Sequence, residues 1–277
     1  MAAPTTLVPP SAAELPLGFL EPILADWRVP TAIAIAYALG VTIFNPTPAQ
    51  AAANRKAGVG SGAFLKFLVV AHNVVLCVFS AAVFLGAAPA YIGRIVNNPT
   101  VESYCDKSGT FWAQALAYYT WVFYLSKYYE IFDTVILLVK GKRSSLLQTY
   151  HHIGAILCMH VNYYTQSTPV TVFVIFNSFI HTLMYFYYAL TTVGIHPPGK
   201  KYLTRMQISQ FVVGMSIALS FLGVENLYPG QCLKSDANKF AIYFNVAYLI
   251  PLTYLFVDFM WKTYGRRSAL PTKAKKE

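Results

Sequence analysis

Long apolar runs separated by short polar stretches fill most of this chain. Seven runs stand out, at about 30–44, 64–86, 116–139, 146–165, 169–190, 203–224 and 240–262. A helix that crosses a bilayer needs about 20 mostly apolar residues. The first run is the shortest. All seven are continuous in Leu, Ala, Val, Phe and Tyr, without the period-two alternation of a membrane barrel strand. Continuous apolar segments satisfy their backbone internally only as helices. The expected fold is therefore an all-α integral membrane protein of seven helices. Pro4, Pro9, Pro10, Pro16 and Pro22 interrupt the first 28 residues, and no basic stretch precedes an apolar core. Residues 1–28 read as an irregular exposed segment, not a signal peptide. Residues 29–263 read as the helical domain and 264–277 as a basic tail.

Composition agrees with that pattern. The 277 residues are 56% hydrophobic, 16% aromatic and 12% charged, with a mean hydropathy of +0.47. A soluble domain carries about 25% charged residues, and a disordered chain is rich in charge and poor in aromatics. Both classes are excluded. The net charge of +10 points to nucleic acid, an anionic surface or an anionic substrate, and its placement decides among them. Every other loop is basic, so that 15 of the 21 Lys and Arg residues fall on one side. The positive-inside rule puts that side in the cytosol, the N-terminus in the lumen and the C-terminus in the cytosol. No folded basic module is left outside the membrane for nucleic acid. Cys105 and Cys232 both fall in loops on the opposite, oxidising side, where a disulfide and two free thiols are both open. Lys273 and Lys275, near the C-terminus, resemble a dilysine retrieval signal of the endoplasmic reticulum.

Ionisable residues within membrane helices are costly and point to function. Here they cluster. The third run holds Lys127, Glu130 and Asp133, three apart and so on one stripe. The fourth opens with Gln148, His151 and His152. The fifth holds Asn177, His181 and Tyr185, the sixth Gln207 and Gln210, and the second His72 and Asn73. At about 1.5 Å per residue, His151, Asp133, His181, Gln207 and His72 lie roughly 6 to 14 Å inside the cytosolic helix ends. They are expected to meet in one polar chamber. A histidine cluster suggests metal, as in membrane di-iron desaturases, but those use more histidines than the six of this chain, and Gln148 is an indifferent ligand. No metal is expected. Metal-free histidines do general acid–base or nucleophilic work, and an imidazole that attacks a thioester gives an activated acyl-imidazole. A basic rim of Lys140, Lys142, Arg143, Lys200, Lys201 and Arg205 suits the phosphates of coenzyme A. A seven-helix receptor is the alternative of a different class, though it has no need of this chamber.

The motifs "KYYEIFDT", "QTYHH", "NSFIHTLMYFYY" and "TRMQISQ", with "HN" at 72–73, resemble in order and spacing those of the ELO family of very-long-chain fatty acid elongases. That resemblance spans roughly residues 64–262. It implies six of the seven helices around a tunnel closed at the luminal end, a luminal disulfide at Cys105 and Cys232, and residence in the endoplasmic reticulum. It implies condensation of acyl-CoA with malonyl-CoA to 3-oxoacyl-CoA, with His151 as acyl acceptor and His181 beside it. No permanently bound cofactor is implied. Implied partners are the reductase and dehydratase enzymes of the elongation cycle, and a second copy of the chain is a candidate partner. Gln148 replaces the first histidine of the box found in many members. A Gln-x-x-His-His box resembles the subset acting on polyunsaturated C18–C20 chains.

Overall fold

A computed structural model describes residues 9–265. Among the described residues every element is helical. Short helices come first, α1 (Glu21–Ala25), α2 (Arg28–Phe44) and α3 (Pro48–Lys56). The long α4 (Ala63–Asn97) and the short α5 (Val101–Cys105) follow. Then come α6 (Ala117–Tyr129), α7 (Ile131–Val139), α8 (Leu146–Tyr164), α9 (Val170–Thr192), α10 (Lys200–Leu227) and α11 (Asp236–Met260). Packing runs from α4 to α6, α8, α11, α10 and α9 and back to α4, with α2 laid outside against α8.

Among the described residues four helices are each long and apolar enough to cross a membrane: α4, α9, α10 and α11 continued to Gly265. The other expected spans fall short for identifiable reasons. The α2 helix has 17 residues and reaches span length only together with residues 18–25, across an 88° bend, as a broken fifth span. The α8 helix carries Gln148, His151, His152, His160 and Asn162 in its 19 residues. The third run is broken in two at Glu130.

That break corrects the expectation of one continuous helix. The Ser126 hydroxyl shares its one proton between the Phe123 carbonyl at 2.8 Å and Glu130 Oε1 at 3.0 Å. The Asp133 amide then closes a tight turn on the Glu130 carbonyl at 3.0 Å.

The reading of residues 1–28 as irregular and exposed also needs correction, over 11–25. This stretch holds two 3-10 turns and α1. It caps the end of the bundle, burying Leu15 and Leu24 in the core of Trp112, Trp121 and Tyr124. Trp121 Nε1 donates to the Pro16 carbonyl at 2.8 Å and Tyr164 to the Glu21 carbonyl at 2.9 Å.

Loops sort to two ends. Asn45 pairs with Ser144, and Asn54 donates to the Gly141 carbonyl, at one end. At the other, Cys105 and Cys232 are joined by a disulfide. Buried Asp106 there accepts from the Phe111 and Trp112 amides at 2.7 and 2.9 Å and faces Arg94 and Lys234. Burial pushes the Lys234 ammonium below its ordinary value, against the pull of Asp106. The tail lysines Lys273 and Lys275 lie outside the described residues.

Candidate active site

The polar residues of five helices line one cavity of about 540 Å³. From α4 come His72 and Asn73; from the α6–α7 break, Glu130 and Asp133; from α8, Gln148, His151 and His152. The α9 helix adds Asn177, His181 and Tyr185, and α10 adds Gln207 and Gln210. Helical periodicity explains the convergence within each element. Residues 148, 151, 152 and 155 share one face of α8, and 177, 181, 184, 185 and 188 one face of α9.

Two hydrogen-bonded groups divide the cavity wall, and the expected single stripe of Lys127, Glu130 and Asp133 splits between them. In the first, Lys127 donates to Glu130 Oε1 at 2.6 Å and to Asn177 Oδ1 at 3.1 Å, while His181 Nδ1 lies 3.7 Å from the same carboxylate oxygen. Lys127 and Glu130 are each only 2% exposed. In the second, Asp133 bridges α4 and α9. Its Oδ1 lies 2.8 Å from His72 Nε2, and its Oδ2 accepts from the Tyr185 hydroxyl at 2.7 Å. Tyr129 stacks on the His72 ring.

His151 stands between the groups. Its ring centroid lies 5.5 Å from that of His152 and 6.3 Å from that of His181. Its Nδ1 is 3.1 Å from the Tyr248 hydroxyl, contributed by α11. Gln148 donates to Thr134 at 3.0 Å, and Thr134 in turn bonds Tyr37 of α2. Gln207 donates to the Met184 sulfur, whereas Asn73 is satisfied within its own helix by the Val69 carbonyl. Past His151 the wall turns apolar. A second space of about 70 Å³ shares His151, Asn177 and Gln210 with the first and is also lined by Lys127, Phe123, Met159, Val170, Phe173 and Leu252.

Of the basic residues expected at the rim, Lys140, Lys142 and Lys200 line the cavity. Arg143 is exposed outside that lining. Lys201 and Arg205 lie over the ring of Tyr202 instead. Sequence reasoning missed Tyr248, Thr134, Tyr37 and Ser126. Tyr248 falls three residues after Asn245 in an apolar helix, and that pair of polar positions is the only signal it offered.

Ligand atoms of Glu130, His151 and His181 lie within 4.8 Å of one another, close enough to hold a metal ion. The chemistry of the donors opposes one. The near carboxylate oxygen already accepts from the Lys127 ammonium at 2.6 Å and from Ser126. A divalent cation on it would face that ammonium at close range, in a setting where little water screens the repulsion.

The sequence profile described as ELO, the GNS1/SUR4 family, matches residues 22–272. A Dictyostelium discoideum protein, fatty acid elongase sre1, is 32% identical over 180 residues, 64% of this chain and 66% of its own. Fatty acid elongase A of the same organism is 31% identical over 209 residues, 73% of each chain. Fatty acid elongase 2 of Trypanosoma brucei brucei is 27% identical over 226 residues, 80% of this chain and 83% of its own.

Proposed function

The chain belongs to the ELO family, and from that premise we propose that it is the condensing enzyme of fatty acid elongation, joining acyl-CoA to malonyl-CoA. The observation that carries the reading is the placement of His151. It lies where the polar cavity meets its apolar extension, beside His181 and the Lys127–Glu130–Asn177 group. An acyl chain suits the apolar space, and coenzyme A phosphates suit Lys140, Lys142 and Lys200. In this reading His151 attacks the thioester carbon and the coenzyme leaves as thiolate. Malonyl-CoA then loses carbon dioxide, and its carbanion displaces the imidazole to give 3-oxoacyl-CoA. Asn177 and His181 stabilise the developing oxyanion. His152 and Gln148 hold the box, and Asp133, with His72 and Tyr185, fixes the wall opposite. No metal takes part.

The same reading makes α2, α4, α6 with α7, α8, α9, α10 and α11 seven spans, six of them around the acyl tunnel. The end bearing Lys140 and Lys200 faces the cytosol, and the disulfide end faces the lumen of the endoplasmic reticulum. Gln148 supports a preference for polyunsaturated C18–C20 chains. The reductase and dehydratase of the cycle would take the product, and a second copy of the chain is a further candidate partner.

His151→Ala is expected to abolish condensation by purified protein while leaving the thermal unfolding midpoint unchanged. Appreciable remaining activity would overturn His151 as acyl acceptor. Cells fed a panel of C16 to C22 acyl chains should accumulate two-carbon extended products, with polyunsaturated C18 and C20 chains preferred. Stoichiometric iron in the purified protein would overturn the metal-free mechanism.

A further inference from the structure

We propose that Tyr248 fixes the tautomer of His151, holding the proton on Nδ1 and leaving Nε2 as the reacting nitrogen. The proposal rests on the reading of His151 as acyl acceptor and adds a positioning residue to it. The Tyr248 hydroxyl lies 3.1 Å from His151 Nδ1, and it donates to the main-chain carbonyl of the same histidine at 3.0 Å. A carbonyl oxygen only accepts, and a phenol has one proton. Both contacts are hydrogen bonds only if that proton goes to the carbonyl and Nδ1–H donates to the phenol oxygen. The neutral imidazole then carries its lone pair on Nε2.

The position of Tyr248 is built into α8. A Cβ on Gly154 would stand 1.9 Å from the Tyr248 Cε2. The glycine, one turn beyond His151, is thus the slot that admits the ring. Tyr150 stacks on the ring, with centroids 5.5 Å apart and planes 24° apart, and donates to the Tyr248 carbonyl at 3.2 Å. Residues 150, 151 and 154 of α8 therefore hold one side chain of α11 by stacking, hydrogen bonding and close approach.

The tautomer has a chemical consequence. The Nε2 lone pair forms the bond to the thioester carbon, the carbon–sulfur bond breaks, and the coenzyme departs as thiolate. The acylated ring is now cationic and keeps its Nδ1 proton on the Tyr248 oxygen. When the malonyl-derived carbanion attacks the acyl carbon, the carbon–nitrogen bond breaks and its electron pair returns to Nε2. His151 is regenerated neutral in the same tautomer, so neither half-reaction needs a proton transfer at this ring. The cationic acyl-imidazole is also the stronger acyl donor to a carbanion.

Tyr248→Phe removes the hydroxyl and leaves the ring in its slot. Two measurements on the full chain test the proposal. In a 15N-histidine spectrum of the wild type, with the His151 signals identified by their loss in His151→Gln, Nδ1 should be the protonated nitrogen. In Tyr248→Phe it should become a mixture. In single turnover with acyl-CoA alone, coenzyme release by Tyr248→Phe should slow at least about tenfold, as when another enzyme's histidine loses the partner that sets its tautomer. Gly154→Ala, which displaces the ring, should slow it likewise. A wild-type spectrum with the proton on Nε2, or Tyr248→Phe releasing coenzyme at the wild-type rate, would overturn the proposal. Peptide mapping of the acylated wild type tests the underlying reading separately: an acyl group on another residue would overturn His151 as acceptor, while the spectrum still decides the tautomer.

Discussion

At Lys127 and Glu130 two opposite charges are almost wholly removed from solvent, 2.6 Å apart. Breaking such a pair by removing one partner leaves the other charge buried and unmatched, at about 3–5 kcal/mol. Lys127→Met should therefore lower stability strongly in thermal or denaturant unfolding of the detergent-solubilised protein. Lys127→Met with Glu130→Gln removes both charges and should recover most of the loss. Condensation should stay lost in the double variant, because Asn177 no longer has the ammonium at 3.1 Å that orients its side chain. Activity restored along with stability would make the pair a structural element alone. These residues were legible in the sequence, as were His151 and His181, because ionisable groups at helical spacing in apolar runs stand out. Tyr248 did not stand out. It is one of 20 tyrosines, and an aromatic side chain in an apolar helix reads as packing until its hydroxyl is seen to meet a partner from another helix.

At the scale of the element, apolar runs located the main helices, and the departures have local causes. The ladder changes at Glu130, where the Asp133 amide bonds only three residues back and Ser126 Oγ meets the Glu130 carboxylate; hydropathy carries no trace of that. The N-terminal segment misleads for another reason. Its prolines break any helical period, yet Leu15 and Leu24, nine residues apart, are 5% and 6% exposed against the bundle core. Burial of an isolated leucine depends on what it meets, which periodicity does not record. Leu24→Ala should cost about 2–5 kcal/mol, the range for deleting a buried leucine side chain. Its turnover per folded molecule should be unchanged, since the cap lies at the end of the molecule away from Lys140 and Lys142. Unfolding measured alongside condensation checks both halves, and an unchanged midpoint would mean that the cap contributes nothing.

Across the whole molecule, charge and polarity change together along the cavity. Lys140, Lys142 and Lys200 stand at one end, the histidines and carboxylates in the middle, and Phe123, Met159, Phe173 and Leu252 beyond. Such a gradient matches an amphipathic substrate with a polyanionic head and an apolar tail. Lys140 and Lys142 also crowd one another: burial, and then the neighbouring ammonium, hold Lys140 below its ordinary pKa. A bound phosphate would relieve both their repulsion and its own charge. From the sequence alone six basic residues were equal candidates for this role, because loop placement does not distinguish those that border the cavity. The structure separates them, with Lys140, Lys142 and Lys200 on the cavity and Arg143, Lys201 and Arg205 off it. Replacing each inner lysine by alanine should raise KM for acyl-CoA and malonyl-CoA by about threefold to tenfold, the scale of one partly screened charge pair near 1 kcal/mol. The chemical step should keep its rate, because in the proposed reading these side chains meet the coenzyme and not the reacting carbon. The salt dependence of kcat/KM should flatten in the same variants, since fewer screened contacts remain to be weakened. Alanine at Arg143, Lys201 or Arg205 should change KM by less than about twofold. Equal effects at all six positions would mean that the coenzyme responds to the general field of the basic face, and the division into inner and outer residues would fall.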